Sequence, residues 1–169
     1  MTIDLVLMIT IGSLIGSLIG LSWFAGTDAP YVPTMRSRLK GILKLSGVKK
    51  GKIFYELGSG DGRVVLDAAT LGAESSGVEQ SWMRVWYSRY KAKKQNLPNA
   101  HFFHGNLFDR QYFPADIVYI YLLQKAVDKL EGKLKKELHK GAIIITQTYH
   151  FRNWKPYKKQ GNFWFYKKT

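Results

Sequence analysis

The sequence predicts an α/β fold: an open, doubly wound, mostly parallel sheet with helices on both faces, behind one N-terminal transmembrane helix. Three observations predict it. Segments of strand and helix character alternate from Lys52 to Leu138, the pattern of a parallel sheet covered on both sides. A glycine-rich turn, Gly58-Ser59-Gly60-Asp61-Gly62, stands between a strand and a helix, at the strand end where open sheets bind ligands. Leu5 to Phe24 is a run of 20 residues without a charge. The 169 residues suit one domain with its own core beside that run. The chain divides into an anchor over 1–28, a linker, lid and first helix over 29–50, and the main domain over 51–169.

The elements follow in order. As a helix the apolar run would reach about 30 Å, the thickness of a bilayer's hydrocarbon core. A cleaved signal peptide would open with basic residues, and this one opens with Asp4. Gly12, Gly16 and Gly20 form one face of small residues where another helix could pack. Two prolines stiffen Ala29 to Thr34, with Thr34 placed as an N-cap. Met35, Leu39, Ile42, Leu43 and Leu45 give helical spacing, stopped by Gly47. Lys52–Leu57 reads as a strand, Arg63–Thr70 as a helix and Ser75–Val78 as a short strand. Ser81 caps a helix running to about Gln95, and His101–His104 is a strand. Ala115–Leu122 and Ala142–Tyr149 are apolar enough for buried parallel strands. Gln124–Leu138 between them is a helix. Phe163–Tyr166 is a last, antiparallel strand after a Lys-rich loop.

Charge narrows the partners. Lys and Arg number 26 against 12 acids, for a net charge of +14. Residues 1–30 hold Asp4 and Asp28 and no basic residue, so 31–169 carries +16. Arg36, Arg38, Lys40 and Lys44 follow the apolar run closely, and nothing basic precedes it but the amino terminus. The positive-inside rule then puts the domain on the cytoplasmic side of a single-pass protein. In that arrangement the charge holds the domain near an anionic lipid surface and does not need nucleic acid to explain it. The absence of cysteine excludes disulfides and thiol nucleophiles, and the four histidines show no metal spacing. No metal is expected. Lys91, Lys93 and Lys94, and Lys133, Lys135 and Lys136, read as solvated helix faces. Trp82, Trp86, Tyr87 and Tyr90 read as core.

The glycine turn carries the chemistry. A dinucleotide fingerprint would place its third glycine three residues after the second, and that position is Arg63. Glu56, two residues before Gly58, would repel a pyrophosphate and suits a ligand with an amino group. Glu79 ends the next strand, 17 residues after Gly62, where a carboxylate can accept hydrogen bonds from two ribose hydroxyls.

Glu56-Leu57-Gly58-Ser59-Gly60-Asp61-Gly62 followed by Gly77-Val78-Glu79 resembles the first two motifs of the class I, Rossmann-like, S-adenosylmethionine-dependent methyltransferases. With Pro30-Tyr31-Val32-Pro33-Thr34 and Trp86-Tyr87-Ser88-Arg89-Tyr90, the chain resembles the membrane-anchored lysine methyltransferases. That family includes the mitochondrial enzymes for the adenine nucleotide translocase and the ATP synthase c-subunit, with prokaryotic relatives. The resemblance implies S-adenosyl-L-methionine as cofactor. It implies that Glu56, Gly58 and Gly60 wrap the cofactor's amino-acid end, with Ser59 beside them, and that Glu79 takes its ribose; Asp61 touches the cofactor or caps the following helix. Asn106 and Leu107 would lie at the adenine, with Asn106 where the class usually has an aspartate. Tyr31 to Thr34 would fold over as a lid. The strand end Tyr119-Ile120-Tyr121-Leu122 would face the transferred methyl, with Tyr119 and Tyr121 on one face as catalytic candidates. The implied substrate is a lysine of a membrane protein, and the implied place is the mitochondrial inner membrane if the source is eukaryotic.

Methyl transfer is an in-line displacement that needs alignment and no covalent enzyme intermediate. The alternatives are RNA or small-molecule methylation, or a non-catalytic membrane adaptor on a degenerate methyltransferase fold. Amide and adenine methylation in this class uses Asn or Asp before Pro-Pro-Tyr or Pro-Pro-Phe, against Tyr119-Ile120-Tyr121-Leu122 here. Cytosine C5 methylation needs a cysteine, and the chain has none.

Overall fold

The structure is a computed structural model that describes residues 2–24 and 36–169. Tyr31 and Thr34, and with them the lid and cap expectations, lie outside the described residues. The described elements are α1 (Thr2–Phe24), α2 (Arg36–Leu45), β1 (Ile53–Leu57), α3 (Arg63–Thr70), β2 (Glu74–Glu79), α4 (Trp82–Lys94), β3 (Ala100–His104), β4 (Ile117–Ile120), α5 (Gln124–Glu137), β5 (Ile143–Gln147), β6 (Lys158–Gln160) and β7 (Phe163–Lys167).

Seven strands make one sheet in the order β3-β2-β1-β4-β5-β7-β6. β1 through β5 pair in parallel, and β7 pairs antiparallel with β5 and β6. The order reverses at β1, between β2 and β4, so a crevice opens at the carboxyl ends of these strands. Strand alternation divides the core. Phe54, Ile117, Tyr119 and Ile145 pack with Leu39 and Leu43 of α2 and Val64 and Ala68 of α3. Leu57, Val118, Ile120 and Ile144 pack on the other face with Val127, Leu130 and Leu134 of α5. A third cluster joins Val65 and Leu66 of α3, Val85 and Ala92 of α4 and Phe102 of β3.

β4 and β5 are shorter than the apolar runs that suggested them. Periodicity marks burial, and Ala115, Ala142 and Leu122 are packed beside the ladder without belonging to it. β5 ends where Thr148 turns to φ 67°. The Lys-rich loop hides β6, whose three residues are all exposed; an edge strand has no apolar face to announce it. Ser81 does stand at the N-cap of α4, but its hydroxyl makes no capping bond.

α1 is long and apolar enough to cross a membrane, and none of its Asp4–Leu21 span is buried. A Cβ added at Gly12, Gly16 or Gly20 would meet nothing within 4 Å, so no described element of this chain packs on that small-residue face.

The turn after β1 depends on left-handed backbone. Gly58, Gly60 and Gly62 have φ of 79°, 53° and 76°, a region that a Cβ makes costly. At two of them a side chain would also force its neighbours to shift. A Cβ on Gly58 would stand 2.7 Å from Leu122 Cδ2, and one on Gly62 would stand 2.6 Å from the Phe102 ring and 2.7 Å from Ser88 Oγ. Gly62→Ala should therefore lower the unfolding free energy by about 2–4 kcal/mol. Gly132 is inside α5 and its Cβ would meet open space. Gly132→Ala should raise it by about 0.5–1 kcal/mol. Urea denaturation of the two variants in the same detergent reads both.

Candidate functional site

The site is built where β1, β2 and β4 end. The turn is tied to the neighbouring strand: Gly58 and Ser59 donate their N–H groups to the Val78 carbonyl, both at 2.9 Å, and Gly62 donates to the Ser59 carbonyl at 2.8 Å. Glu79 completes the connection. Its Oε2 accepts from the Gly60 N–H at 2.9 Å and its Oε1 from the Ser81 N–H at 3.0 Å. Arg84, buried on the inner side of α4, lies 3.6 Å from Oε1. Each carboxylate oxygen has a further lone pair, so Glu79 keeps acceptor capacity beyond these bonds.

Glu56 sits one strand over, register partner of Gly77 on one side and Tyr119 on the other. It is buried, and its Oε2 has no hydrogen-bond partner among the described residues. Burial pushes the carboxyl well above the ordinary carboxylate range, and the negative charges of Asp61 and Glu79 push the same way. A hydrogen bond from the Val65 N–H and the charge of Arg63 oppose the shift without overcoming it. An orphaned buried carboxylate oxygen at a strand-end crevice fits a cationic ligand group.

Asp61 is held differently. Its burial favours the neutral acid, yet hydrogen bonds from Arg63 and the charges of Lys91 and Arg63 outweigh that and lower its pKa. Arg63 Nε reaches Oδ1 at 2.9 Å, and Lys91 Nζ reaches Oδ2 at 3.2 Å and the Asp61 carbonyl at 2.8 Å. Ser59 is buried, with no partner for its hydroxyl among the described residues, and its side chain fills the space that a Cβ on Gly77 would need.

The tyrosines divide. Tyr119 and Tyr121 do share a face, but Tyr119 is fully buried in the core and its hydroxyl donates to Gln147 Oε1. Tyr121 is only partly buried against the same cluster. Leu107 is a core residue whose carbonyl accepts the Tyr112 hydroxyl. Asn106 is exposed, with its Oδ1 accepting the Phe108 N–H at 3.1 Å.

The residues that sequence reasoning missed are on α4. Arg84 and Lys91 serve the two acids, and Ser88 lies 3.5 Å from the Gly60 carbonyl. Ser81, Arg84, Val85, Ser88 and Ala92 are buried and recur at helical spacing. That pattern could have marked the inner face. Ser88 is small because the helix rides close on the glycine turn there. The aromatics expected in the core are therefore outside: Trp82, Trp86 and Tyr90 are 61%, 58% and 52% exposed, with Tyr87 at the margin. The lysines are corrected too. Lys91 turns inward to Asp61, and Lys133 and Lys135 pair with Glu137 and Glu131. Lys93, Lys94 and Lys136 stay solvated.

A glycine turn flanked by two buried acids at the reversal of such a sheet narrows the relatives, and residues 56–158 match the family model described as the ANTKMT methyltransferase domain. The chain belongs to that methyltransferase family. It is 34% identical over 128 residues to the ATP synthase c-subunit lysine N-methyltransferase of Xenopus laevis, covering 75% of this chain and 56% of that protein. It is 31% identical over 130 residues to a protein-lysine N-methyltransferase of Saccharolobus islandicus (strain REY15A), covering 75% of this chain and 81% of that protein. The chain thus spans little more than half the length of the animal relative and most of the archaeal one. Among solved structures it is similar to an RNA methyltransferase from Salinibacter ruber in complex with S-adenosyl-L-homocysteine. The TM-score is 0.78 at 29% identity, covering 81% of this chain and 94% of that one. The matched family region opens at Glu56.

Glu56 binds its proton more tightly folded than unfolded. Its stabilising contribution is therefore complete below the ordinary carboxylate range and is lost as pH rises through the raised folded pKa. Glu56→Gln should be more stable than the parent at pH 8, with the advantage vanishing near pH 4. Thermal melts of the ligand-free protein across that range check the sign.

Proposed function

We propose that the chain is an S-adenosyl-L-methionine-dependent protein-lysine N-methyltransferase, held on a membrane by α1 and acting on a lysine of a membrane protein. The observation that carries this reading is the orphaned Glu56 carboxylate within the matched family region. A carboxylate whose protonated form is favoured by burial gains most from a cation, and the amino group of the methionine moiety is one. Glu79 takes the ribose hydroxyls on its remaining lone pairs. Gly58, Ser59, Gly60 and Asp61 set the turn against the cofactor, Asn106 and Leu107 stand for the adenine end, and Tyr31 and Thr34 for the lid. The cofactor supplies a methyl group activated by a cationic sulfonium. The chain's own task is to align a neutral lysine amine with it and exclude water. A neighbouring cation and burial both disfavour the ammonium form of the lysine, so no dedicated base is required. Tyr121 shapes the slot for the amine, and Tyr119, tied to Gln147, positions the strand end.

Relatives named as lysine methyltransferases of the ATP synthase c-subunit and the adenine nucleotide translocase support the substrate class. α1 and the basic residues after it support a single pass with the domain on the cytoplasmic side, or at the mitochondrial inner membrane in a eukaryote. Two observations favour a second reading, RNA methylation: the Salinibacter neighbour is named an RNA methyltransferase, and residues 31–169 carry +16.

The deciding experiment incubates the full chain with membrane extract and labelled S-adenosyl-L-methionine, then hydrolyses the labelled material. Methyllysine from a membrane protein is expected; methylated nucleosides would replace this reading with the second. Glu79→Ala should weaken cofactor binding by about 10- to 100-fold, the loss of hydrogen bonds to a charged group, measured by calorimetry. An unchanged affinity would remove Glu79 from the site. In right-side-out vesicles, added protease should leave the domain intact; digestion would reverse the topology.

A further inference from the structure

The outer face of α4 has no task in the site. Trp82, Trp86, Tyr90 and Lys94 succeed one another every four residues, so they form one stripe along a helix of 13 residues, about 20 Å long. All four are exposed. Trp86 and Tyr90 stack on each other at 6.3 Å between ring centroids, so the stripe is continuous. Three large aromatics facing water on one helix are an unusual use of apolar surface.

The charge around them is of one sign. The sequence has no Asp or Glu between Glu79 and Asp109, while Arg84, Arg89, Lys91, Lys93 and Lys94 fall in that interval. Arg84 and Lys91 are spent inward on Glu79 and Asp61. Arg89 reaches the Phe102 carbonyl from the rim. Lys93 and Lys94 are left exposed at the end of the stripe. Trp and Tyr beside Lys is the composition that partitions to the headgroup level of a bilayer, the rings at the acyl boundary and the ammonium groups among anionic headgroups. The position agrees. Cα atoms of α1, the helix fit to cross a membrane, come within 8 Å of those of α4. An element that close to a membrane-spanning helix lies at the membrane face.

We infer that the Trp82-Trp86-Tyr90 face of α4 is a membrane-docking surface that lies in the interface of an anionic lipid bilayer. This rests on the proposed anchoring by α1. Docking would fix how the domain stands on the bilayer, beyond the tether that α1 and its linker give. Arg84, Ser88 and Lys91 hold the glycine turn and its acids from the other face of the same helix, so the height of the site above the lipid would be set by this contact.

Bromine-labelled lipid tests it, because a heavy atom in the acyl chain quenches only tryptophans that reach it. The full chain, W23F and W82F/W86F are reconstituted into phosphatidylglycerol-containing vesicles with and without brominated chains. Trp23 in α1 reports the anchor; Trp154 and Trp164 are common to all three proteins. The expected result is that W23F and W82F/W86F each lose a separate part of the quenching. In the W23F background, K93E/K94E should lower the docked population by about fivefold per lysine, with further loss as salt rises. Quenching lost in W23F but unchanged in W82F/W86F would overturn the docking surface and leave the anchor standing. Quenching unchanged in W23F would overturn the anchor, and the docking inference with it. Quenching of Trp82 and Trp86 by added single-stranded RNA and not by lipid would assign the aromatic stripe to stacking on bases and likewise overturn it. Cofactor affinity measured by calorimetry should be the same in all variants, which shows that each is folded.

Discussion

The buried negative charge around one turn is the constraint on which the rest of this structure depends. Glu56, Asp61 and Glu79 converge where β1 and β2 end, and Glu56 feels the charge of both others. Three carboxylates cannot share so small a volume unless each is compensated. The chain compensates them in three different ways. Asp61 receives two cationic side chains, Arg63 and Lys91. Glu79 receives two backbone N–H groups and the proximity of Arg84. Glu56 has only the Val65 N–H and the charge of Arg63 on its side, and one of its oxygens has no partner among the described residues. The asymmetry has a physical meaning. Two acids are fixed parts of the scaffold, and the third is left with an electrostatic demand that a ligand can meet. Unfavourable local choices of this kind concentrate at functional sites.

Local structure follows from that arrangement. Glu79 can reach the Gly60 N–H only if the turn doubles back over β2, and that path needs φ above zero at Gly58, Gly60 and Gly62. Doubling back brings the turn under α4, which meets it with Ser88 where the backbone is closest and with Arg84 and Lys91 reaching Glu79 and Asp61. The bulky aromatics of the helix are thereby turned outward. The glycines, the small Ser88 on the inner face of α4 and the exposed tryptophans are one consequence of a single backbone route.

Much of this is legible in the sequence. Alternating apolar segments give the strand and helix order because burial in a two-faced sheet is what selects them. The glycine turn and its acids are legible because left-handed positions and buried carboxylates allow few substitutes. The antiparallel β7 shows through Phe163 to Tyr166, whose side chains face the core. What escapes is also explicable. β6 is exposed at the sheet edge and carries no pattern. Hydrophobicity alone sends Trp82 and Trp86 to the core, because it measures a preference for leaving water and says nothing of where a helix has room. A strand-end position makes Tyr119 resemble a site residue; its hydroxyl is consumed by Gln147, a partner 28 residues away in the chain. Partnerships of that range are set by register between β4 and β5, which composition does not record.

α4 is the element through which site and surroundings meet. An α-helix repeats every 3.6 residues, so Arg84, Ser88 and Lys91 can face the turn while Trp82, Trp86 and Tyr90 face out. The sheet and its helices leave no separate substrate domain among the described residues. The described elements offer few loops with which to select a target. On the proposed reading, restriction to two dimensions does that work: a domain tethered and oriented on a bilayer meets lysines at a limited height above the lipid. Such lysines belong to membrane proteins. The basic charge then acts on orientation and local concentration, and the contacts inside the crevice need only to recognise an amine and the cofactor.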